Sequence, residues 1–385
     1  MKRVADLLAK EETLVVGLLS GTSADGVDAA LVRIKGSGLA TKPEILAFRT
    51  VPYPAKLREQ VLALGRGLVP DLCRLNFVLG ERFADAAHEL LKAAQVKPQE
   101  IDLVGSHGQT VHHVPRRPGE VASTLQIGEA DVIAERLGVP VVSGFRTRDI
   151  AAGGEGAPLS AYVDYLLFRR KGPPRALLNL GGIANVTVVG EQIEDVFAFD
   201  MGPANMPLDE TSRILTRGRE HYDRDGRSAA KGHVDEILLQ KLLTHPYLKQ
   251  PPPKTTGRET FGADFVLPLL RAKGAKTGVD VLATLTAFTA HSIRQAFDDF
   301  VLPRARPAEI IVSGGGVKNL TLMGHLRRLF PREKVLSLAD VGIDPDAKEA
   351  LIFAILANET VHGVPNNVPG ATGARWPTIL GKVTP

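Results

Sequence analysis

The first group of residues that could do chemistry is a short loop of small and polar side chains near the start of the sequence. It joins two apolar runs, Leu14–Ser20 and Ala29–Ile34, that predict paired strands. The loop consists of Gly21, Thr22, Ser23, Ala24, Asp25, Gly26, Val27 and Asp28. Small residues let backbone N–H groups approach a phosphate, and the two carboxylates could hold Mg²⁺ through water. An Asp-Gly pair is also typical of a plain hairpin turn, so this loop alone leaves both interpretations open.

A second Gly-rich loop repeats this arrangement in the second half of the chain. The runs Ala176–Leu180 and Val186–Val189 predict strands, and Gly181 and Gly182 begin the loop between them. Two such loops facing one another could clamp one polyphosphate, which favours phosphate binding over a plain turn. The repeated strand–loop–strand unit also predicts a duplicated, two-lobed fold.

Two further strand ends carry candidate residues. Asp200 follows the predicted strand Val196–Phe199 and precedes a Gly-Pro turn, a position typical either of a catalytic carboxylate or of a side chain that caps the turn. The predicted strand Ile310–Val312 leads into a Gly-rich segment before a helix, where a nucleotide could pack closely. This segment contains Gly314, Gly315, Gly316 and Asn319. The third glycine of a dinucleotide-binding motif is missing, and the sequence has no Gly-x-x-x-x-Gly-Lys-Ser/Thr motif.

Histidine and arginine side chains form another candidate group. The spacing of His107 from the later histidines fits no tight set of metal ligands, which favours a hydrogen-bonded structural role. Arg146 and Arg148 precede the flexible segment Gly153–Pro158. A guanidinium group suits bidentate capture of a carboxylate or phosphate, although a surface ion pair with Asp149 is the alternative.

Composition excludes several classes of protein. The chain has 385 residues and a net charge of +4, and its basic residues are scattered in short pairs, which does not favour nucleic-acid binding. The single cysteine, Cys73, excludes an internal disulfide. The segment Met1–Glu12 predicts a short amphipathic helix without a signal-peptide core, and no apolar run reaches the roughly 18 residues typical of a membrane span. We therefore expect a soluble, cytoplasmic protein.

Strand and helix patterns alternate along the chain, which predicts an α/β architecture. Helical periodicity covers Cys73–Ala94 and Val281–Phe300. The segment Gly172–Pro174 precedes the second hairpin and is the natural linker. We predict a first lobe of residues 1–171, joined by the C-terminal segment 372–385, and a second lobe of residues 172–371.

Taken in order, the motifs of the chain resemble those of the 1,6-anhydro-N-acetylmuramic acid kinase family. The matching strings are Gly17–Asp28, Gly105–Thr110, Phe145–Asp149, Ala151–Pro158, Asn179–Asn185, Phe199–Asn205, Lys254–Glu259, Ser313–Gly316 and Thr372–Ala374. Each string is short, but the ordered set is highly specific and runs from about residue 14 to the C-terminus. Three positions depart from the usual pattern: Glu155 replaces Gln, Ala204 replaces Gly, and Thr147 replaces Arg.

The resemblance implies an actin-like sugar-kinase fold, with two duplicated ribonuclease-H-like domains and a central nucleotide cleft. It implies that ATP binds at the loops Gly21–Asp28 and Gly181-Gly182 and at Gly314–Gly316 with Asn319. By analogy Asp200 is the general base, and Asp25 and Asp200 contact Mg²⁺ through water. The residues implied for the amino-sugar substrate are His107, Arg146, Arg148, Gly154, Glu155, Asn205 and Glu349.

The reaction implied by the resemblance opens the 1,6-anhydro ring with water and phosphorylates O6. The product would be N-acetylmuramic acid 6-phosphate, formed in peptidoglycan recycling, and the family implies a homodimer. Two alternatives stay open at this point: an ordinary sugar or acetate-type kinase of the same superfamily, and an actin- or chaperone-like ATPase.

Overall fold

The chain folds into two compact units. The computed structural model describes residues 4–116, 120–252, 254–273 and 278–385. One unit comprises Met1–Leu167 and Asp346–Pro385, and the other comprises Phe168–Pro345. The first boundary lies close to the predicted linker. The return to the first unit begins at Asp346, well before the predicted residue 372, because a helix after Asp346 packs on the first sheet.

The described strands and helices alternate as the sequence predicts. The strands are β1 (Glu12–Ser20), β2 (Gly26–Lys35), β3 (Lys42–Pro52), β4 (Leu103–Val114), β5 (Ser123–Ile127), β6 (Val141–Ser143), β7 (Arg175–Leu180), β8 (Ile183–Val189), β9 (Phe197–Pro203), β10 (Glu309–Ser313), β11 (Lys334–Ser337) and β12 (Lys382–Thr384). The helices are α1 (Val4–Leu8), α2 (Ala55–Ala63), α3 (Val69–Ala93), α4 (Ala130–Leu137), α5 (Phe145–Ala151), α6 (Ser160–Phe168), α7 (Asn205–Leu215), α8 (Glu236–Leu243), α9 (Arg258–Phe261), α10 (Ala263–Lys273), α11 (Gly278–Ala296), α12 (Leu320–Leu329), α13 (Lys348–Val361) and α14 (Pro369–Thr372). The first three residues of the predicted N-terminal helix lie outside the described residues.

Each unit is built on one sheet, and the two sheets share a plan. In the first unit the order is β12-β6-β4-β1-β2-β3, with β5 paired to β4. In the second unit the order is β11-β10-β7-β8-β9. In the first unit, β1 pairs antiparallel with β2 and parallel with β4. In the second unit, β7 pairs antiparallel with β8 and parallel with β10. The predicted duplication and the actin-like class of two ribonuclease-H-like domains are confirmed.

The first sheet is covered by helices on both faces, which explains why β1 is apolar almost throughout. The helix α13 packs very closely against β1 and β4 because both strands carry glycine at the contact. A Cβ at Gly17 would overlap the carbonyl oxygen of Ala350, and one at Gly105 would overlap that of Phe353. These two motif glycines therefore serve the packing of α13, and they explain why the chain rejoins the first unit early.

The second unit has a core under β7–β10 and a further apolar cluster around α11. The sequence predicts one long helix over Val281–Phe300. The α-helix begins earlier, at Gly278, and ends at Ala296, where a π-turn covers Phe297–Val301. Within the described residues, no helix combines the length and the apolar character needed to cross a membrane.

Candidate active site

The loop between β1 and β2 is held in place by hydrogen bonds with a buried glutamine. The Ser20 hydroxyl donates to Oε1 of Gln109 at 2.6 Å, and Nε2 of Gln109 donates to the Gly21 carbonyl at 3.0 Å. Both side chains are buried. At Gly21 a Cβ would meet only the Ser23 hydroxyl, at 3.9 Å, so the loop backbone is open to a ligand. Sequence reasoning missed Gln109, although the residue lies inside the motif string Gly105–Thr110.

The tip of the same loop is fixed by an arginine. Nε of Arg58 lies 2.9 Å from Oδ1 of Asp25, and a second nitrogen of Arg58 donates to the Ser23 carbonyl at 3.2 Å. Ala24 is fully buried at a φ of 51°. Asp25 is an exposed carboxylate that forms an ion pair with Arg58, and the hydroxyl-bearing residues Thr22 and Ser23 of the loop are also exposed.

Carboxylates gather beside this loop in the first unit. Asp28 accepts a hydrogen bond from the Thr50 hydroxyl at 2.6 Å, and its pKa is raised by burial and by the charges of Asp346 and Asp25. Glu349 lies in the first turn of α13, and burial together with the charge of Asp28 raises its pKa. No group of three or more His, Cys, Asp or Glu side chains is arranged as a metal centre in the part of the chain that the structure describes.

The predicted residues His107 and Arg146 form one unit. Nε of Arg146 donates to Nε2 of His107 at 2.8 Å, and Nη1 donates to the Gly156 carbonyl at 2.7 Å. The other ring nitrogen of His107 lies 3.0 Å from the Gly108 carbonyl, which makes it the protonated one. Burial and the Arg146 charge lower the pKa of His107 to about 3. His107 is thus a neutral support for Arg146, in agreement with the predicted hydrogen-bonded histidine.

The two candidate arginines differ in their setting. Arg146 is half-buried, and burial lowers its pKa while the charges of Glu349 and Asp149 raise it. Arg148, two residues further along α5, is exposed. Thr147, at a position where the family often has Arg, donates its hydroxyl to the Gly144 carbonyl at 2.7 Å. The guanidinium with a fixed orientation is that of Arg146.

Asp149 organises the segment Gly153–Pro158. Its Oδ2 accepts the Gly156 N–H at 2.8 Å, and its Oδ1 accepts from Asn367 and Thr372, each at 2.8 Å. A Cβ at Gly154 would overlap Oδ2 of Asp149, which explains this glycine. The alternative of a surface ion pair for Asp149 is wrong, because the residue is fully buried and binds this loop instead.

Glu155 has a local partner of its own. Its Oε2 accepts the backbone N–H of Arg116 at 2.8 Å, and its own N–H donates to the Thr372 carbonyl at 2.8 Å. A glutamine oxygen could accept the same hydrogen bond. The charge of Glu155 is therefore not needed for the contact that the side chain makes.

The Gly181-Gly182 loop of the second unit is tied to the start of α7. The Gly181 carbonyl accepts the Asn205 N–H at 2.9 Å, and the Gly182 carbonyl accepts those of Ala204 and Met206 at 3.0 and 3.1 Å. The Asn205 carboxamide donates to the Leu180 carbonyl at 2.8 Å. Asn205, predicted to contact the sugar, holds this loop. Ala204, where the family usually has Gly, is buried with a φ of −124° and a ψ of −108°.

The Gly314–Gly316 segment packs against the end of β7. Gly314 has a φ of 81°, and a Cβ on it would lie 2.7 Å from the Leu180 carbonyl oxygen. Gly315 is open, with the Asn205 amide nitrogen as its nearest neighbour at 3.8 Å. Asn319 is the N-cap of α12, because its Oδ1 accepts the Leu322 N–H at 3.0 Å. The side-chain oxygen of Asn319, a residue predicted to bind ATP, therefore caps this helix.

Asp200 lies on β9 with its carboxylate held by the next motif string. Oδ2 accepts the Thr255 hydroxyl at 2.9 Å and the Thr256 N–H at 3.1 Å. Burial raises the pKa of Asp200, while these two hydrogen bonds and the Lys254 charge lower it. The opposing effects produce a half-buried carboxylate that can take up a proton.

Lys254 anchors that string. It is buried, and its ammonium group contacts the carbonyls of Tyr247 and Leu248 and lies 4.6 Å from the centre of the Phe300 ring. Burial lowers its pKa to about 8. Lys254, Thr255 and Thr256 were missed as site residues, although the string Lys254–Glu259 carried the signal.

The site residues described above therefore supply two kinds of function. Open glycine loops can take the oxygens of a polyphosphate, and a half-buried carboxylate can act as a base. Two solved structures are distantly similar to this chain. An activator of 2-hydroxyisocaproyl-CoA dehydratase from Clostridium difficile is 13% identical, with coverage of 90% of this chain and 95% of that one and a TM-score of 0.41. A ROK family glucokinase from Streptomyces griseus has a TM-score of 0.37 at 15% identity, covering 90% and 99% of the two chains.

Sequence relatives are much closer. A family model described as anhydro-N-acetylmuramic acid kinase matches residues 13–385. The anhydro-N-acetylmuramic acid kinase of Caldanaerobacter subterraneus subsp. tengcongensis is 46% identical over 100% of both chains. That of Bacillus cereus is 46% identical over 96% of this chain and 98% of its own. The motifs that position Asp200 and the glycine loops thus lie in a chain matched almost from end to end, and this chain belongs to the anhydro-N-acetylmuramic acid kinase family.

Proposed function

We propose that this protein is an ATP-dependent kinase of 1,6-anhydro-N-acetylmuramic acid, with N-acetylmuramic acid 6-phosphate as product, in cell-wall recycling. The family match over residues 13–385 supports the activity. The observation that carries the mechanism is the half-buried carboxylate of Asp200, oriented by Thr255 and Thr256. A carboxylate whose pKa is raised by burial is a better proton acceptor near neutral pH than an exposed one.

ATP binds through the glycine loops. The open backbone at Gly21 and Gly181 gives room for phosphate oxygens, and Gly315 gives room for the adenosine. Catalysis of phosphoryl transfer depends mainly on positioning and on charge stabilisation. The Gln109 hydrogen bonds keep the first loop in one conformation, which reduces the cost of ordering it around a ligand.

Mg²⁺ fits the donors that the chain offers. Carboxylate oxygens are the ligands that this ion prefers, and it usually keeps several of its waters. Asp25, which is exposed, and Asp200 are the residues that the family resemblance implies for contact with the ion through water. When bound, the ion neutralises phosphate charge.

The reaction couples hydrolysis to phosphorylation. Asp200 accepts a proton from water as the water oxygen bonds to C1 of the sugar and the C1–O6 bond breaks. The released O6 then bonds to the γ-phosphorus and ADP leaves. Atoms balance with one water consumed, and the proton on Asp200 passes to solvent.

The sugar is held by the Arg146 group. Its fixed guanidinium, supported by neutral His107, can pair with the lactyl carboxylate of the substrate. Arg148, Gly154, Glu155 and Glu349 complete the assigned contacts. The homodimer and the cytoplasmic location implied by the resemblance belong to this proposal as well.

Isotope labelling tests the coupled reaction. In ¹⁸O-water, quenched before the anomeric hydroxyl exchanges, the label should appear on C1 and be absent from phosphate. An ordinary sugar kinase would leave the product unlabelled, and an ATPase would label inorganic phosphate. Either result would refute the proposed reaction.

Substitution of the base tests the role of Asp200. Asp200→Asn keeps the size of the side chain but cannot act as the base, so turnover should fall by about 10²–10⁴-fold. ATP affinity and the melting temperature should change little. Asp264→Asn, at an exposed position in the same unit, is the matched control and should behave as wild type. Near-normal turnover of Asp200→Asn would show that Asp200 only caps its turn.

A further inference from the structure

The two oxygens of Asp200 are not equivalent. Oδ2 receives the hydroxyl of Thr255 and the N–H of Thr256, whereas Oδ1 has no hydrogen-bond donor among the described residues. We propose that Thr255 is a positioning residue for the reaction, and that with Thr256 it holds Oδ2 so that Oδ1 is the atom that receives the proton. The inference rests on the proposed function, in which Asp200 is the general base.

A carboxylate needs such support to present one oxygen reproducibly. The terminal torsion of aspartate is broad and roughly two-fold, so a side chain without partners samples many orientations. Two donors from consecutive residues converge on Oδ2 at 2.9 and 3.1 Å, which fixes the plane of the Asp200 carboxylate. Small errors in the orientation of a base are costly because the reacting atoms must be aligned.

The segment that supplies these donors is itself firmly attached. The Asp200 N–H donates to the Lys254 carbonyl at 3.2 Å, and the Tyr247 hydroxyl donates to the Asp200 carbonyl at 2.8 Å. The Lys254 ammonium group lies 4.8 Å from the Tyr247 ring centre and donates to the Leu248 carbonyl at 3.2 Å. These contacts place Thr255 next to Asp200 whether or not its hydroxyl is present.

The setting of Thr255 argues against a role in stability. The residue is exposed, so its hydroxyl could be satisfied by water, and replacing it removes no core contact. The neighbouring Thr256 hydroxyl is buried and has no partner among the described residues, so the Thr256 side chain does not compete for Oδ2. The Thr255 hydroxyl therefore acts mainly on the carboxylate that it contacts.

Three threonine variants test the inference by steady-state kinetics with both substrates. Thr255→Val removes the donor at nearly constant volume and should lower kcat by about ten- to a hundredfold, the value of one hydrogen bond to a charged group. The KM for sugar and for ATP should change little. Thr255→Ser keeps the donor and should restore most of the wild-type kcat. Thr244→Val, which removes an exposed hydroxyl that donates to the Lys241 carbonyl, is the matched control and should leave kcat unchanged.

The outcomes separate this inference from the proposed function. A wild-type kcat in Thr255→Val, with Asp200→Asn inactive, would overturn the positioning role and leave Asp200 as the base. Active Asp200→Asn would refute the proposed mechanism itself. An equal loss of kcat in Thr255→Val and Thr255→Ser, or a large fall in melting temperature for both, would show a structural role and also overturn the inference.

Discussion

Replacement of Asp149 by asparagine should destabilise the first unit severely. The Asp149 carboxylate is fully buried and accepts three hydrogen bonds at 2.8 Å, from the Gly156 N–H, the Asn367 amide and the Thr372 hydroxyl. Asparagine has the same shape, but one of its two positions is an NH₂ group. In either orientation of the asparagine amide, its NH₂ group faces a hydrogen-bond donor that the carboxylate had accepted from. The amide oxygen can still accept a hydrogen bond, but it carries no full negative charge.

The expected loss follows from these contacts. A hydrogen bond to a charged group contributes about 1.5–3 kcal/mol, and a buried donor left without an acceptor costs a further ~1–3 kcal/mol. We therefore expect Asp149→Asn to lower the free energy of unfolding by about 2.5–6 kcal/mol. For a unit of this size, 1 kcal/mol corresponds to about 2–4 °C, so Tm should fall by roughly 5–24 °C.

Thermal and urea unfolding followed by circular dichroism would measure this loss. The control is Asp71→Asn, whose side chain is about half exposed and forms a surface ion pair with Arg74 at 3.9 Å. Such pairs contribute about 0–1 kcal/mol, so this variant should stay near wild type. Equal stabilities of the two variants would refute the reasoning, because the three buried hydrogen bonds to Asp149 would then have no net value.

Two further predictions concern sugar binding. Arg146→Ala should raise the KM for sugar by about ten- to a hundredfold, as expected for the loss of a charge-assisted contact, and Arg148→Ala should raise it less. The KM for ATP should stay unchanged in both variants. An equal rise of the two KM values in Arg146→Ala would indicate a structural role. Glu155→Gln should keep or improve sugar affinity, because the amide oxygen can still accept the Arg116 N–H while the repulsion of the substrate carboxylate is removed. Titration of the variant with sugar checks this, and a weaker affinity would contradict it.

The fold was largely predictable because its signals are local. Apolar runs interrupted by Gly-rich loops predict the β1–β2 and β7–β8 hairpins, and their repetition predicts the duplication. The place where the chain rejoins the first unit was not predictable in this way. Nothing within α13 marks which sheet it covers, since its packing depends on Gly17 and Gly105, which are distant in sequence.

The sequence predicted the site residues that can act on a substrate directly. It did not predict the residues that act by positioning another side chain or a loop. Asp200 stands at a strand end before a turn, a pattern that chemistry can use. Gln109, Lys254 and Thr255 have ordinary side chains, and their importance comes only from the atoms they contact: a loop carbonyl, backbone carbonyls beside aromatic rings, and the Asp200 carboxylate. A sequence shows that they lie within motif strings, but not which of their atoms has a partner.

The glycines of the motif strings have two different physical causes, and this difference determines what they indicate. A Cβ at Gly314 would crowd the end of β7, so glycine is required there by packing whether or not a nucleotide binds. At Gly21 and Gly181 the nearest atom would be 3.9 and 3.5 Å away, so the protein itself would tolerate a side chain. Packing offers no reason for glycine at these two positions, and close approach of a ligand to the backbone does. The open glycines, rather than the number of glycines in a string, are therefore the evidence for a phosphate site.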